Sequence, residues 1–70
     1  MNLTELRKNS GLKANYIAKQ LNISRVQLYN LESGKYKISL DKIVKFSEVY
    51  RKPAEEILKA VKESENFERQ

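Results

Sequence analysis

Apolar residues recur along the chain at every third or fourth position, the spacing of amphipathic helices, rather than in the alternation typical of strands. At the start, Asn2 followed by Glu5 has the form of a capping box, and Leu3 and Leu6 share one helical face. Gly11 comes next, and glycine accepts the left-handed backbone with which many helices end. A first helix is therefore predicted between Asn2 and Gly11.

Two further helical patterns are separated by a joint of only two residues, Asn22 and Ile23. The second helix is predicted from about residue 14 to Leu21. Helices this close in the chain cannot pack antiparallel, so we expect them to cross steeply, as in a helix-turn-helix. Ala18 is small enough for the helices to approach, and Asn22 tolerates a positive φ. The shared apolar seam is expected to consist of Ile17, Leu21, Ile23, Leu28 and Leu31.

The third helix, over about residues 24–32, has a strong start signal. Ser24 is placed to cap it, and Gln27 stands three residues later, where it completes a capping box. Ile23 and Leu28 occupy the two positions of a hydrophobic staple. These signals agree on where the helix begins.

Two more helices follow. Gly34 closes the third helix, and a basic loop covers Lys35–Ile38. Ser39 is predicted to cap a fourth helix, and Pro53 suits the first turn of a fifth. The predicted apolar positions are Leu40, Ile43, Val44, Phe46 and Tyr50 in the fourth helix and Ile57, Leu58 and Val61 in the fifth.

Length and polarity set the domain organisation. Seventy residues make one domain at most, with a thin core. We predict an all-α fold, a compact five-helix bundle with a central helix-turn-helix, over residues 1–61. Residues 62–70 are expected to form a polar C-terminal tail that frays.

The chain contains no cysteine and no histidine. Disulfides and thiolate metal sites are therefore excluded, and the commonest metal ligand and general base are missing. A core this small hardly contains a catalytic pocket built from carboxylates or lysines. We expect no enzyme activity, no metal and no cofactor.

The net charge of +5 is unevenly distributed. Residues 1–52 carry eleven Lys or Arg and four Asp or Glu, a net charge of +7, whereas residues 53–70 carry −2. This asymmetry favours a polyanion-binding body, the alternative being charge that serves solubility alone. The sequence contains neither a run of ~20 apolar residues nor the apolar segment of a signal peptide. We therefore expect a cytoplasmic location and no membrane partner.

Five segments carry a resemblance to a known family: LTELRKNSGL, IAKQLNISR, LESGK, SLDKIVKFSEVY and PAEEIL. They lie within residues 3–58 and resemble the lambda-repressor/Cro type of helix-turn-helix domain, often called the Xre family. The resemblance implies a five-helix bundle whose third helix enters the major groove of DNA. It also implies a structural ion pair between Arg7 and Glu32.

The chain departs from the family pattern at the start of helix 2 and in two turns. Lys13 and Ala14 replace the usual Ser and Gln. In the family that glutamine commonly contacts the DNA backbone, and Ala14 has no side chain that can make this contact. Lysine is a poor N-cap, but a phosphate at this helix end would meet both its charge and the helix amides. The alternative is that Lys13 is a tolerated surface charge. Asn22 and Arg51 replace two usual glycines without threatening the fold.

Four side chains of the third helix are predicted to read DNA bases: Arg25, Val26, Gln27 and Asn30. The N-terminal part of a recognition helix reaches base edges. Arginine can bind guanine, and asparagine or glutamine can bind adenine, through two hydrogen bonds, while valine can touch a thymine methyl group. As alternatives, Gln27 caps its own helix, and Arg25 contacts phosphate or is plain surface.

The predicted phosphate contacts are Lys13, Ser24, Tyr29, Lys35, Tyr36 and Lys37. The last three follow the recognition helix, where the loop of the family approaches the DNA backbone. A solvated loop is the alternative for these three residues. Tyr29 has its own alternative, in which its ring packs on the domain edge and offers only its hydroxyl.

The leading function hypothesis is a sequence-specific regulator of transcription, a repressor of the phage, plasmid or mobile-element kind, bound to double-stranded DNA as a homodimer. A second is an antitoxin or restriction-modification controller with the same domain, which for an antitoxin adds a partner protein. A third is a protein-interaction module that has lost DNA binding, against which the +7 body argues.

Overall fold

The structure, a computed structural model, describes the backbone of residues 1–69 and the side chains of residues 1–65. Over this part the chain forms five helices and no strand, which confirms the predicted all-α bundle. The helices are α1 (Leu3–Ser10), α2 (Ala14–Gln20), α3 (Arg25–Glu32), α4 (Leu40–Tyr50) and α5 (Ala54–Arg69).

The ends of α1 are formed as the sequence predicts. Asn2 Oδ1 accepts the Glu5 N–H at 2.8 Å, and Glu5 Oε1 accepts the Asn2 N–H at 2.9 Å. Two of the amides that a helix start leaves without partners are satisfied in this way. Gly11 ends the helix with φ at +74°, the left-handed conformation expected for a glycine cap.

The joint between α2 and α3 is a tight turn. α2 ends at Gln20, one residue before the predicted end, and Leu21 is its C-cap. Asn22 takes φ of +59°, which confirms the expected left-handed turn. The Ile23 N–H donates to the Ala18 carbonyl at 3.0 Å, so the chain turns directly back over the end of α2.

The core contains the apolar face of every helix. Its buried residues are Leu3, Leu6, Ile17, Ala18, Leu21, Leu28, Ile43, Phe46, Tyr50, Ile57 and Ala60. Leu40 and Val44 of α4, predicted as apolar-face positions, are instead 74% and 49% exposed, and Leu58 of α5 is also exposed. Because each residue turns a helix by about 100°, Val44 points away from the face on which Ile43 and Phe46 lie.

The last helix continues past the predicted end of the domain. α5 runs to Arg69, so the predicted boundary at residue 61 falls inside a continuous helix. Ser64 is only 3% exposed, and its Oγ accepts the Leu3 N–H at 3.2 Å. The structure thus places residues 62–65 in the helix and gives a polar side chain of this segment a buried hydrogen-bonding role, while the expected fraying stays a prediction.

Candidate nucleic-acid interface

α3 has an inner side fixed in the core and an outer side that faces solvent. Leu28 and Glu32 are both buried, and their spacing of four residues places them on one helical face. Arg25 and Tyr29 are exposed, and Val26 is 67% exposed. The inner contacts therefore hold the helix, while the side chains at its start are available to a ligand.

The first turn of α3 closes a capping box. Ser24 Oγ accepts the Gln27 N–H at 3.1 Å, and Gln27 Oε1 accepts the Ser24 N–H at 2.9 Å. The Ser24 hydroxyl can still donate its proton to a further acceptor. For Gln27, a two-bond contact with adenine uses both its Oε1 and its Nε2. The cap takes one of the two acceptor positions of Oε1, so one acceptor position and both Nε2 donors of Gln27 remain free.

A cleft of about 440 Å³ lies between α3 and the start of α4. Its lining residues are Ile23, Gln27, Asn30, Leu31, Tyr36, Lys37, Ser39 and Lys42. The cleft brings half-buried Asn30, from the predicted base-reading set, beside Tyr36 and Lys37, from the predicted phosphate set. Lys42 was not among the predicted residues. Its position in the first turn of α4, close after the basic loop, is the signal that points to it.

A second cleft, of about 570 Å³, follows the joint between α2 and α3. Its lining residues are Asn15, Ala18, Lys19, Asn22, Ile23, Ser24, Arg25 and Gln27. Lys19 and Asn15 are exposed residues of α2 that were not among the predicted contacts. Here Lys19 adds a second positive charge beside Arg25, and Ile23 and Gln27 line this cleft as well as the first.

The remaining predicted phosphate residues lie in two places. Lys35, Tyr36 and Lys37 are all exposed on the segment between α3 and α4. Lys13 is exposed at the start of α2, where its side chain makes no capping hydrogen bond, and it lines neither cleft. Three lysines, Lys37, Lys42 and Lys19, thus lie in the clefts that flank α3, and Lys13 lies apart from them.

Glu32 and Arg7 form a two-bond ion pair between α3 and α1. Arg7 Nε donates to Glu32 Oε2 at 2.8 Å, and Arg7 Nη2 donates to Glu32 Oε1 at 3.2 Å. Thr4 Oγ1 donates to the same Oε1 at 3.4 Å. The side chain of Glu32 is 4% exposed and that of Arg7 18%. The hydrogen bond to Glu32 raises the pKa of Arg7, against the opposing effect of its partial burial.

Arg7 also contacts the exposed side of α3. Its guanidinium carbon lies 5.5 Å from the centre of the Tyr29 ring, within the range of a cation–π contact. The ring therefore packs against α1, as in the alternative interpretation of Tyr29, and the residue remains exposed. Nearby, Tyr50 stacks on Phe46 with ring centres 5.7 Å apart, and burial raises the pKa of its hydroxyl.

Across the part of the chain that the structure describes, no group of three or more acidic, histidine or cysteine side chains is placed to hold a metal ion. In the same part, none of the helices combines the length and the apolar character needed to cross a bilayer.

Comparison with known proteins places this geometry in a family. No curated protein and no solved structure gave a significant match to the chain. A family model, HTH_3, described as helix-turn-helix, matches residues 3–57. This match covers α1 to α4 and the start of α5, including the joint at Asn22 and the exposed side of α3. The chain therefore belongs to the HTH_3 family of Xre/lambda-repressor-type helix-turn-helix domains, which are DNA-binding regulators.

Proposed function

We propose that the protein represses transcription by binding a specific double-stranded DNA site, with α3 in the major groove and two copies on a palindromic sequence. The observation that carries this proposal is that one face of α3 is buried in the core while the start of the helix is exposed. Leu28 and Glu32 fix the helix from within, whereas Arg25 and Val26 at its start are exposed. The N-terminal residues of a recognition helix are the ones that reach base edges.

The base contacts that we propose differ along α3. Arg25 presents a guanidinium that can bind O6 and N7 of guanine, and Val26 can touch a thymine methyl group. Asn30 lies further along, in the cleft beside Lys37, where its amide can meet adenine. Gln27 contributes its two Nε2 donors and the one acceptor position of Oε1 that the Ser24 amide leaves free. Its donors suit base acceptors such as guanine O6 or thymine O4, and the amide as a whole can also meet adenine.

The proposed phosphate contacts lie on α3 and on the neighbouring helices and turns. They are Lys13, Ser24, Tyr29, Lys35, Tyr36 and Lys37 from the sequence, with Lys42 and Lys19 added from the clefts. Phosphate contacts supply most of the affinity that does not depend on sequence, and they orient the protein on the duplex. A repressor of the phage, plasmid or mobile-element kind requires no other chemistry, since occupying its site is sufficient to block a promoter.

Lys37→Ala tests the phosphate part of this proposal. Removing one phosphate contact should weaken binding to all duplex sequences alike and lower the slope of log K against log salt by about 0.9. The measurement is a salt titration of binding to a labelled duplex. Lys59→Ala is the matched control, because Lys59 is also an exposed lysine and lies on α5. Equal slopes for the two variants would contradict a phosphate contact at Lys37.

Dimerisation is the second part of the proposal. One domain of this size buries little surface on DNA, and helix-turn-helix proteins commonly bind two half-sites one helical turn, ~34 Å, apart. The proposed dimer surface is the outer face of α5, where Leu58 is 45% exposed and Val61 is half-buried. Phe67, the other apolar residue proposed for this surface, lies outside the described side chains.

Leu58→Lys tests this dimer surface. A charged side chain in an apolar contact should shift the full-length protein toward the monomer and make it bind a palindromic duplex with one copy at a time. Sedimentation velocity with and without the duplex measures both states. Val44→Lys, at an exposed apolar residue on α4, is the control. If both variants behave like the wild type, α5 does not form the dimer contact.

An antitoxin or restriction-modification controller would use the same DNA surface. Such a protein needs the proposed base and phosphate contacts and, for an antitoxin, a face for a second protein. Leu40 and Val44, both exposed on α4, are available for that contact.

A further inference from the structure

The turn between α3 and the basic segment Lys35–Lys37 contains Gly34. Its φ is +82°, in the left-handed region that favours glycine. A glycine here is expected from the sequence, since it closes α3, but the structure gives it a second reason. Gly34 lies against the backbone of α5, a helix that begins some twenty residues later in the chain.

No side chain fits between this turn and α5. A Cβ atom added to Gly34 would lie 2.5 Å from the Ser64 carbonyl oxygen and 3.0 Å from the Glu65 Cα. Real Cβ atoms essentially never approach other atoms as closely as the first of these distances. Both neighbours are backbone atoms, so rotation of a side chain cannot relieve the clash. The backbone of α5 therefore limits how far the turn can move.

The turn is also tied to the recognition helix. Ser33 Oγ donates to the Asn30 carbonyl at 2.7 Å and accepts the Lys35 N–H at 3.4 Å. The Gly34 N–H donates to the Leu31 carbonyl at 3.3 Å. The position of Lys35 is thus linked by hydrogen bonds to the last turn of α3.

The other side of the contact is anchored as well. Ser64 is buried, and its hydroxyl holds the amide of Leu3, the first residue of α1. Leu3 is itself fully buried in the core. We call residues 63–65 the α5 brace. The brace is bonded to α1 through the Leu3 amide, and its backbone lies against the turn at Gly34.

We propose that the α5 brace positions the basic segment Lys35–Lys37 for the DNA backbone, and that whatever displaces the brace weakens DNA binding. The inference rests on the proposed phosphate contacts of that segment. It makes the brace a positioning element that touches no DNA itself. A partner or a second copy that engages the end of α5 can therefore act on DNA binding through Gly34.

Two glycine variants of the full chain separate the positioning effect of the α5 brace from the strain of a side chain on a left-handed backbone. Gly34→Ala and Gly11→Ala both place a side chain on a left-handed backbone, with φ of +82° and +74°. Only Gly34→Ala meets α5, because a Cβ on Gly11 has nothing within 4 Å. Salt titrations on one random-sequence duplex compare the two variants, after circular dichroism has established that each is folded.

We expect Gly11→Ala to keep the wild-type slope of log K against log salt. Gly34→Ala should lower that slope by about 0.9 for each phosphate contact that the displaced segment loses. Loss of stability alone changes the folded fraction but not the slope of the folded protein. If folded Gly34→Ala keeps the slope of Gly11→Ala, the brace does not position the segment.

If Gly34→Ala does not fold, hydrogen exchange in the wild-type protein tests whether the α5 brace positions the basic segment. Coupling is reciprocal, so a duplex bound at Lys35–Lys37 should stabilise the brace as the brace stabilises the segment. Amide exchange at residues 63–65 should then slow about fivefold or more relative to residues 47–50 at the end of α4. Equal slowing of the two regions contradicts the brace. Wild-type protein that binds no duplex at any salt contradicts the proposed function itself.

Discussion

Replacing Glu32 with alanine is expected to lower the free energy of unfolding by about 3–5 kcal/mol. The side chain of Glu32 is 4% exposed, and it receives two hydrogen bonds from Arg7 and one from Thr4. Its removal leaves the Arg7 guanidinium, itself 18% exposed, without its counter-charge. An uncompensated charge in a largely buried position is costly, whereas the intact pair is close to neutral in free energy.

Urea denaturation of wild type and variant measures this loss. Glu48→Ala is the matched control, because Glu48 pairs with Lys45 at 3.7 Å while both side chains are more than half exposed. An exposed pair contributes at most about 1 kcal/mol, so the control should change little. A loss below that figure for Glu32→Ala would contradict a structural role for the pair.

A second variant separates charge from packing in the same pair. Glu32→Gln keeps the size of the side chain and an oxygen that accepts a hydrogen bond from Arg7, but removes the charge. Its loss should lie between those of Glu48→Ala and Glu32→Ala. If Glu32→Gln is as damaging as Glu32→Ala, the missing charge rather than the missing contact accounts for the effect.

Local signals in the sequence predicted the start of α3 and the turn before it well, because caps and turns depend on residues a few positions apart. The Ser24 cap with Gln27 at the third position and the positive φ at Asn22 are both found in the structure. The same capping bond shows that Gln27 caps α3 in the protein without DNA. A sequence shows that a residue can cap or read bases, but only coordinates show which atoms are occupied.

Contacts between distant segments were the part that sequence reasoning could not supply. Gly34 and Ser64 are thirty positions apart, and the segment around Ser64 is polar, so it was expected to fray. What holds it is the Leu3 amide and the close approach to Gly34, neither of which leaves a pattern in composition. Lys42 was missed for a related reason, since the path of the loop decides that it shares a cleft with Lys37.

The clearest test of base reading is Arg25→Ala. This variant is expected to lose about 1–3 kcal/mol of binding free energy on the preferred site, roughly 5- to 150-fold in affinity, and to lose its preference at one base pair. Arg25 is the first residue of α3, exposed on the cleft that follows the joint with α2. In a recognition helix this end points at the floor of the groove. Lys37, on a segment outside the helix, should affect all sequences alike.

The measurement uses a duplex selected from a random pool, the same duplex with each base pair changed in turn, and a random-sequence duplex. Arg25→Ala should weaken the selected site strongly, flatten the response at one position and affect the random duplex least. Equal weakening of specific and random duplexes would make Arg25 a phosphate contact. Specificity would then rest on Asn30 and on Gln27, whose amide keeps both Nε2 donors and one acceptor position of Oε1 while Oε1 holds the Ser24 amide.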